Sequence, residues 1–303
     1  MNCRNGEKYL REAMDSVFAQ TYPHWQIIFY DNLSTDSSPE IAKSYGDQVL
    51  FIRGKKPLPL GEARNEAMKH ATNDLVAFLD CDDIWLPTKL ETQVKTFEKN
   101  PNVGVAHAAY YVFFDDTAKL TRVGAESAEI DTERKTFREQ LVHYTIGIMT
   151  VIFRRKLLEG LPIWFDPRFN LVEDGEFFLK LMYLAPVAYN PEPLSKYRVH
   201  KTNLSKVLRT DAANEFEDWR LCLEKLVPNY KQEYAVEDRV LESRIAFFRA
   251  RDAINAGNST LARTHLQEFR FYSPRMFMYY VLSFFPATLW QRLYRIYFRL
   301  RYF

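Results

Sequence analysis

The chain has 303 residues, 47% of them hydrophobic and 26% charged, and a net charge of +2. This composition fits a folded globular protein and excludes a disordered one; near-neutral charge excludes an electrostatic footprint for nucleic acid. Cys3, Cys81 and Cys222 follow neither a disulfide framework nor a zinc-binding spacing and fit a reducing cytoplasm.

The opening "MNCRNGEKYL" has no apolar signal region. "EKYLREAMDSVFAQ" spaces Leu10, Ala13, Met14, Val17 and Phe18 as one helical face. "QIIFY" reads as a short strand, "DNLSTDSS" as a turn able to cap the next helix, and "QVLFI" as a second strand. Gly61 precedes the helix "EARNEAMKHA", and "DLVAFL" is a third strand. Pro87 opens the helix "PTKLETQVKTFEKN", and "VGVAHAAYYVFF" is strand-like. Strands alternating with helices predict an α/β fold with a mostly parallel sheet flanked by helices, in which ligands bind beyond the carboxyl ends of the strands. Asp31 and Asp80 both fall at such ends.

Between 115 and 170 the pattern is less regular: a charged helix in "DTERKTFREQL", then the strand-like "GIMTVIF". A helix begins near Glu173, and "LSKYRVHKTNLS" reads as a strand entering a loop. From about Asp211 the pattern is all-helical, with a hairpin turning at Gly257-Asn258. The expected organisation is therefore an α/β domain over 1–210 and a helical region over 211–303.

The stretch "AFLDCDDIW" ends an apolar strand in Asp80, Asp82 and Asp83. Carboxylates this close repel unless a cation or hydrogen bonds hold them. An Asp-x-Asp turn can present two of them to one hard cation, with water and phosphate filling its shell; a solvated surface turn is the bland alternative. The same spacing occurs in haloacid dehalogenase phosphatases, but at their first strand and with a different following residue.

Several stretches together resemble the family-2 glycosyltransferases of the GT-A fold, in the family's order. They are "NGEKYLREAMDSVFAQTY", "IIFYDNLSTDSS", "GEARNEAM", "FLDCDDIWLP", "LVEDGEFFLKL" and "YRVHKTNLS", covering about residues 2–205. Asn32 and Leu33 stand where the family pattern has Asp and Gly. The resemblance implies transfer of a sugar from a nucleotide diphosphate to an acceptor hydroxyl with inversion, in surface polysaccharide or glycan assembly. The implied cofactor is a divalent metal, Mn²⁺ or Mg²⁺, and the implied acceptor is a glycan or a lipid-linked molecule.

By the same resemblance Asp82 is a metal ligand, with Asp80 contacting ribose or metal, and His200 contacts metal or diphosphate. Asp31 is implied to bind the nucleobase and Arg64 the base or phosphate. Asp174 is implied as the general base, with Glu173 positioning it. Each has a plainer alternative: turn or helix capping for Asp31, Asp83, Glu173 and Asp174, a salt bridge for Arg64, an inert loop side chain for His200. A non-catalytic relative serving binding or assembly is the alternative for the whole chain. The family begins with an apolar strand that nothing before Met1 supplies, so that strand is expected to be missing, leaving two inner sheet edges unpaired.

The tail is basic and aromatic. Leu289, Leu293, Ile296, Tyr297 and Leu300 share one helical face, and Arg292, Arg295 and Arg299 another. This predicts a peripheral, cytoplasmic-side membrane contact, the alternative being a last helix packed on its own domain.

Overall fold

The computed structural model describes residues 1–170, 172–203, 212–290 and 292, and divides into two units, Met1–Leu208 and Arg209–Phe303. In the first unit the predicted alternation holds. Strand β1 (Asn2–Cys3) leads into α1 (Glu7–Phe18), whose Leu10, Met14 and Val17 are buried as their spacing requires. Next come β2 (Ile27–Asp31), α2 (Ser38–Lys43), β3 (Val49–Arg53), α3 (Leu60–Met68), β4 (Leu75–Ala77), β5 (Ile84–Trp85), α4 (Lys89–Lys99) and β6 (Val105–Phe114). The less regular stretch holds β7 (Leu120–Val123), β8 (Glu129–Asp131), α5 (Lys135–Val142) and β9 (Ile152–Arg154). Helix α6 (Glu173–Leu184) and the 13-residue β10 (Val187–Val199) complete it.

Two sheets result. In the first, β1, β2 and β3 are parallel, with Asn2 opposite Tyr30 and Cys3 opposite Asp31. The second has seven strands on the path β4-β9-β6-β10-β5, with β7 on β6 and β8 on β10. Only β6 and β10 run parallel there; their other ladders are antiparallel. The short strands β7 and β8, which lack a clear alternating pattern, are edge additions that period-two reading does not reveal. "GIMTVIF" is half strand: Ile148–Thr150 form a 3₁₀ turn before β9.

The first strand is present for two residues and pairs with β2 alone. Among the described residues no ladder joins the two sheets. Between them lies a cavity of about 690 Å³, walled by Met1, Ile27 and Ile28 on one side and Leu75, Val76 and Ala77 on the other. Aromatic packing closes the core elsewhere: Phe165 and Phe177 stack at 4.2 Å, and Phe78 meets both rings edge-on.

The second unit is helical, as expected: α7 (Ala212–Leu226), α8 (Tyr230–Glu233), α9 (Ala235–Asn255), α10 (Ser259–Gln267) and α11 (Pro274–Leu282). The hairpin turns at Gly257, with φ +77°, and Asn258 caps α10 by accepting from the Leu261 amide at 2.9 Å. Ala246, Ala250 and Ala253 on α9 keep its inner face small, letting Leu266, Tyr279 and Trp290 pack close. Leu293, Arg295, Ile296, Tyr297, Arg299 and Leu300 of the expected tail stripes lie outside the described residues. Among the described residues no helix is long and apolar enough to cross a membrane.

His107 on β6 sits against Tyr189, ring centroids 4.9 Å apart, and its Nε2 is buried without a hydrogen bond. Burial pushes its pKa down to about 4. The unfolded chain, titrating near 6.5, therefore binds more protons than the native state between those values. The stability that this group contributes is complete above pH 6.5 and is lost as pH falls toward 4. Replacing it with Phe should flatten that loss: urea midpoints at pH 7 and pH 5 should differ less for His107→Phe than for the wild type. Parallel curves would show that His107 is not buried neutral.

Candidate active site

The site forms where strand ends meet the start of α6. The loop before α1 and the turn after β2 cap one another. Asn5, Gly6 and Glu7 donate backbone N–H groups to Ser34 Oγ, Ser38 Oγ and Asp36 Oδ2, at 2.9, 3.0 and 2.9 Å. In return Asn5 Oδ1 and Glu7 Oε2 accept from the Thr35 and Ser37 amides at 2.7 and 2.9 Å. Asp36 in the polar turn "NLSTDSS" thus satisfies the first amide of α1, Glu7, and, through its other oxygen, the first amide of α2, Ser38, at 3.0 Å. Gly6 is needed for space: a Cβ there would lie 2.8 Å from both the Cys3 and the Cys81 sulfur. Leu33, where the resemblance expects glycine, holds a left-handed φ of 59°.

Asp31 closes β2 with a fully buried side chain. One oxygen accepts from the Ser34 amide at 3.0 Å; the other takes the Arg53 guanidinium at 2.6 Å. Its carboxylate is thus taken up by the turn after β2 and by Arg53, not by the start of α2, and the half-exposed Arg53 is what faces outward. Sequence reading did not single out Arg53, although its place at the end of the neighbouring strand was available.

Arg64 is buried on α3 and joins the two acidic motifs. Its Nη1 donates to Glu173 Oε1 at 2.9 Å, and its Nη2 to both oxygens of Asp80 at 3.1 and 3.2 Å. Phe165 lies 5.5 Å from the guanidinium. Burial opposes the charge, but the Asp80, Glu173 and Asp174 carboxylates hold its pKa above the usual value. Burial also raises Glu173 to about 7, with Asp174 adding to the shift against Arg64.

Asp174 is half-buried at the start of α6. Its hydrogen bond comes from the Gly175 amide at 2.7 Å; among the described residues no cation pairs with it directly. Burial raises its pKa, and Arg64 moderates the rise. A carboxylate so placed is accessible and more basic than a solvated aspartate.

Asp82 faces His200, with Oδ2 and Nε2 2.9 Å apart, and the imidazole's other nitrogen lies 2.9 Å from Thr202 Oγ1. Burial and then the Asp80 charge raise the Asp82 pKa, a cost that a bound cation would relieve. Among the described residues no three His, Cys, Asp or Glu side chains form a ready cage for a metal. Asp82 and His200 nonetheless fit an ion that keeps few protein ligands and completes its shell with water and phosphate.

Asp83 is buried and points away from that pair: its Oδ1 accepts the Arg198 backbone N–H at 2.9 Å, fastening the acidic turn to β10. The Arg198 side chain completes the clasp. It donates to the Asp82 carbonyl at 2.9 Å, to Asp115 at 3.0 Å and to Glu12 at 2.5 Å, and lies against the rings of Tyr9 and Phe113. This arginine lies in the stretch "YRVHKTNLS", where nothing in the sequence assigned it a role; its partners, Asp115 and Glu12, are distant along the chain.

Removing one partner of a buried ion pair leaves the other charge uncompensated, at about 3–5 kcal/mol. Arg64→Met should therefore cost about that much in urea unfolding, and Arg64→Lys should recover little, because an ammonium lacks the fork that spans two carboxylates. A loss below about 1 kcal/mol, the range of an exposed pair, would contradict the bridging role.

The comparisons with known proteins agree with this architecture. The family model described as glycosyl transferase family 2 matches residues 1–161. An uncharacterised glycosyltransferase of Rickettsia typhi is 28% identical over 269 residues, covering 86% of this chain and 82% of its own. The Escherichia coli UDP-Glc:alpha-D-GlcNAc-diphosphoundecaprenol beta-1,3-glucosyltransferase WfgD is 28% identical over 66% of this chain and 76% of its own. Among solved structures, S. aureus TarS in complex with UDP-GlcNAc superposes with a TM-score of 0.65 at 18% identity, covering 91% of this chain and 81% of that one. The mannosyltransferase PcManGT of Pyrobaculum calidifontis, in complex with GDP-Man and Mn²⁺, gives 0.59 at 15% identity, covering 95% and 84%. These two structures share the fold, a GT-A arrangement. With a family model matching more than half its length, and with the acidic turn and Glu173 of α6 joined through Arg64, this chain belongs to glycosyl transferase family 2.

Proposed function

We propose that this glycosyltransferase moves a sugar from a nucleotide-diphosphate donor to an acceptor hydroxyl, with inversion and with the help of a divalent cation. The observation that carries the reading is the division of labour among the carboxylates. Asp80 and Glu173 are neutralised by Arg64, and Asp83 is spent on the backbone. Among the described residues no guanidinium binds the carboxylate of Asp82, beside His200, or that of Asp174, and burial raises the pKa of both.

Asp82 and His200 would hold the cation, Mn²⁺ or Mg²⁺, with Asp80 beside them. When bound, such an ion offsets the charge that develops on a departing diphosphate. Asp174 accepts the proton of the acceptor hydroxyl as its oxygen attacks the anomeric carbon, and the bond from that carbon to the diphosphate breaks on the opposite face. Glu173, fixed by Arg64, sets the start of α6 and so the place of Asp174. Arg53, rather than Asp31, is the outward-facing group at the β2–β3 end and is available to a nucleotide. The relative named for transfer to GlcNAc-diphosphoundecaprenol, WfgD, supports a lipid-linked glycan as the acceptor and surface polysaccharide assembly as the setting.

Two variants test these roles. Nucleoside diphosphate should bind in Mn²⁺ and not in excess chelator, and Asp82→Asn should remove the metal-dependent part; equal calorimetric affinity under both conditions would sink the metal assignment. Asp174→Asn should keep nucleotide affinity while turnover drops about 10²–10⁴-fold, the usual contribution of a positioned base. A matching loss of binding would make Asp174 a helix cap. Wild-type protein that binds donor and never turns over would favour a non-catalytic, assembly role.

A further inference from the structure

The last described helix of the second unit is apolar on both faces. Met276, Tyr279 and Leu282 turn inward and pack with Leu266, Phe269 and Trp290. The outward face of a soluble helix is ordinarily polar. Here Phe277, Met278 and Val281 are exposed, and the same face continues past the helix end into Phe284 and Phe285, 60% and 47% exposed. Phe271, 75% exposed, stacks on Phe277 with ring centroids 6.0 Å apart, so the patch is continuous across the turn into α11. Isolated exposed hydrophobics are ordinary; a contiguous aromatic face of this kind marks a contact surface.

Cations rim the patch. The Arg270 guanidinium lies 4.8 Å from the Phe271 ring, and that of Arg263 lies 4.8 Å from Phe284 while donating to the Ser283 carbonyl at 2.9 Å. Arg275 opens α11. From Phe269 to Phe303 every charged side chain is an arginine.

We propose that this face, Phe271 with Phe277, Met278, Val281, Phe284 and Phe285, docks the protein in the plane of an anionic lipid bilayer. Aromatic and aliphatic side chains enter the boundary of headgroups and acyl chains, and the rim arginines meet lipid phosphates. Charge complementarity favours lipid over a second copy of the chain, since pairing two such faces sets arginine rim against arginine rim, and the segment 269–303 that carries the face contains no Asp or Glu. The helix is too short to span a bilayer, and among the described residues no other helix qualifies. The inference goes beyond the transfer reaction and can be tested without it.

Flotation of the full chain with vesicles of phosphatidylcholine, with and without phosphatidylglycerol, tests the proposal. The wild type should float with the anionic vesicles and bind less at high salt. Phe277→Ser with Phe284→Ser should reduce the bound fraction about tenfold or more, with circular dichroism and melting temperature unchanged, since both side chains are exposed. Arg270→Gln with Arg275→Gln should instead erase the preference for anionic over neutral vesicles. Absence of wild-type binding to anionic vesicles, or double-Phe binding equal to wild type, would overturn the proposal. So would a wild-type dimer in light scattering that the double-Phe variant dissociates, because it would place a second copy on this face.

Discussion

One buried guanidinium organises the first unit. Arg64 spans Asp80, in the turn after β4, and Glu173, at the start of α6 and 109 residues beyond Arg64 itself. Burial and the Asp174 charge already raise Glu173, and burial with like charges raises the neighbouring Asp82 and Asp83. Asp80 and Glu173 share the arginine's charge, and the sharing fixes the distance between acidic turn and helix start. A buried ion bridge of this kind contributes little net stability compared with an apolar replacement, but breaking it is costly. Its structural value is therefore registry: the turn that carries Asp82 and the helix that carries Asp174 are held in one arrangement.

A second clasp repeats the device. Arg198 on β10 takes the Asp82 carbonyl, Asp115 and Glu12 through its side chain, and its backbone N–H goes to Asp83. The acidic turn is thus gripped from both sides, by α3 and by β10. Three adjacent carboxylates are tolerated because two are already spent, Asp80 on Arg64 and Asp83 on Arg198. Among the described residues the third, Asp82, has a histidine opposite its carboxylate and no guanidinium on it, which is why the proposed cation is assigned to that end of the turn.

Much of this was legible in the sequence. Helical spacing in "EKYLREAMDSVF" and the apolar run "QIIFY" gave α1 and β2 nearly to the residue, because burial on one face leaves a strong period. Strand β4 is shorter than "DLVAFL" suggested: Phe78 and Leu79 are buried beyond its ladder, and burial alone reads like a strand. Strands β7 and β8, two short edges, carry no comparable period. The candidate residues were found through their motifs, but their partners were not, because Arg53, Arg198 and Glu12 act through contacts between distant parts of the chain. Asp31 illustrates the limit: its position at a strand end was readable, whereas the arginine that occupies its carboxylate became visible only when β3 lay beside β2.

The proposed transfer is a single displacement in which Asp174 removes a proton opposite the departing diphosphate. The anomeric configuration of the product reports this directly. With an α-linked nucleotide-sugar donor, proton NMR of the transferred sugar should show a β-linked product. An α-linked product would require a different mechanism and would contradict the role assigned to Asp174.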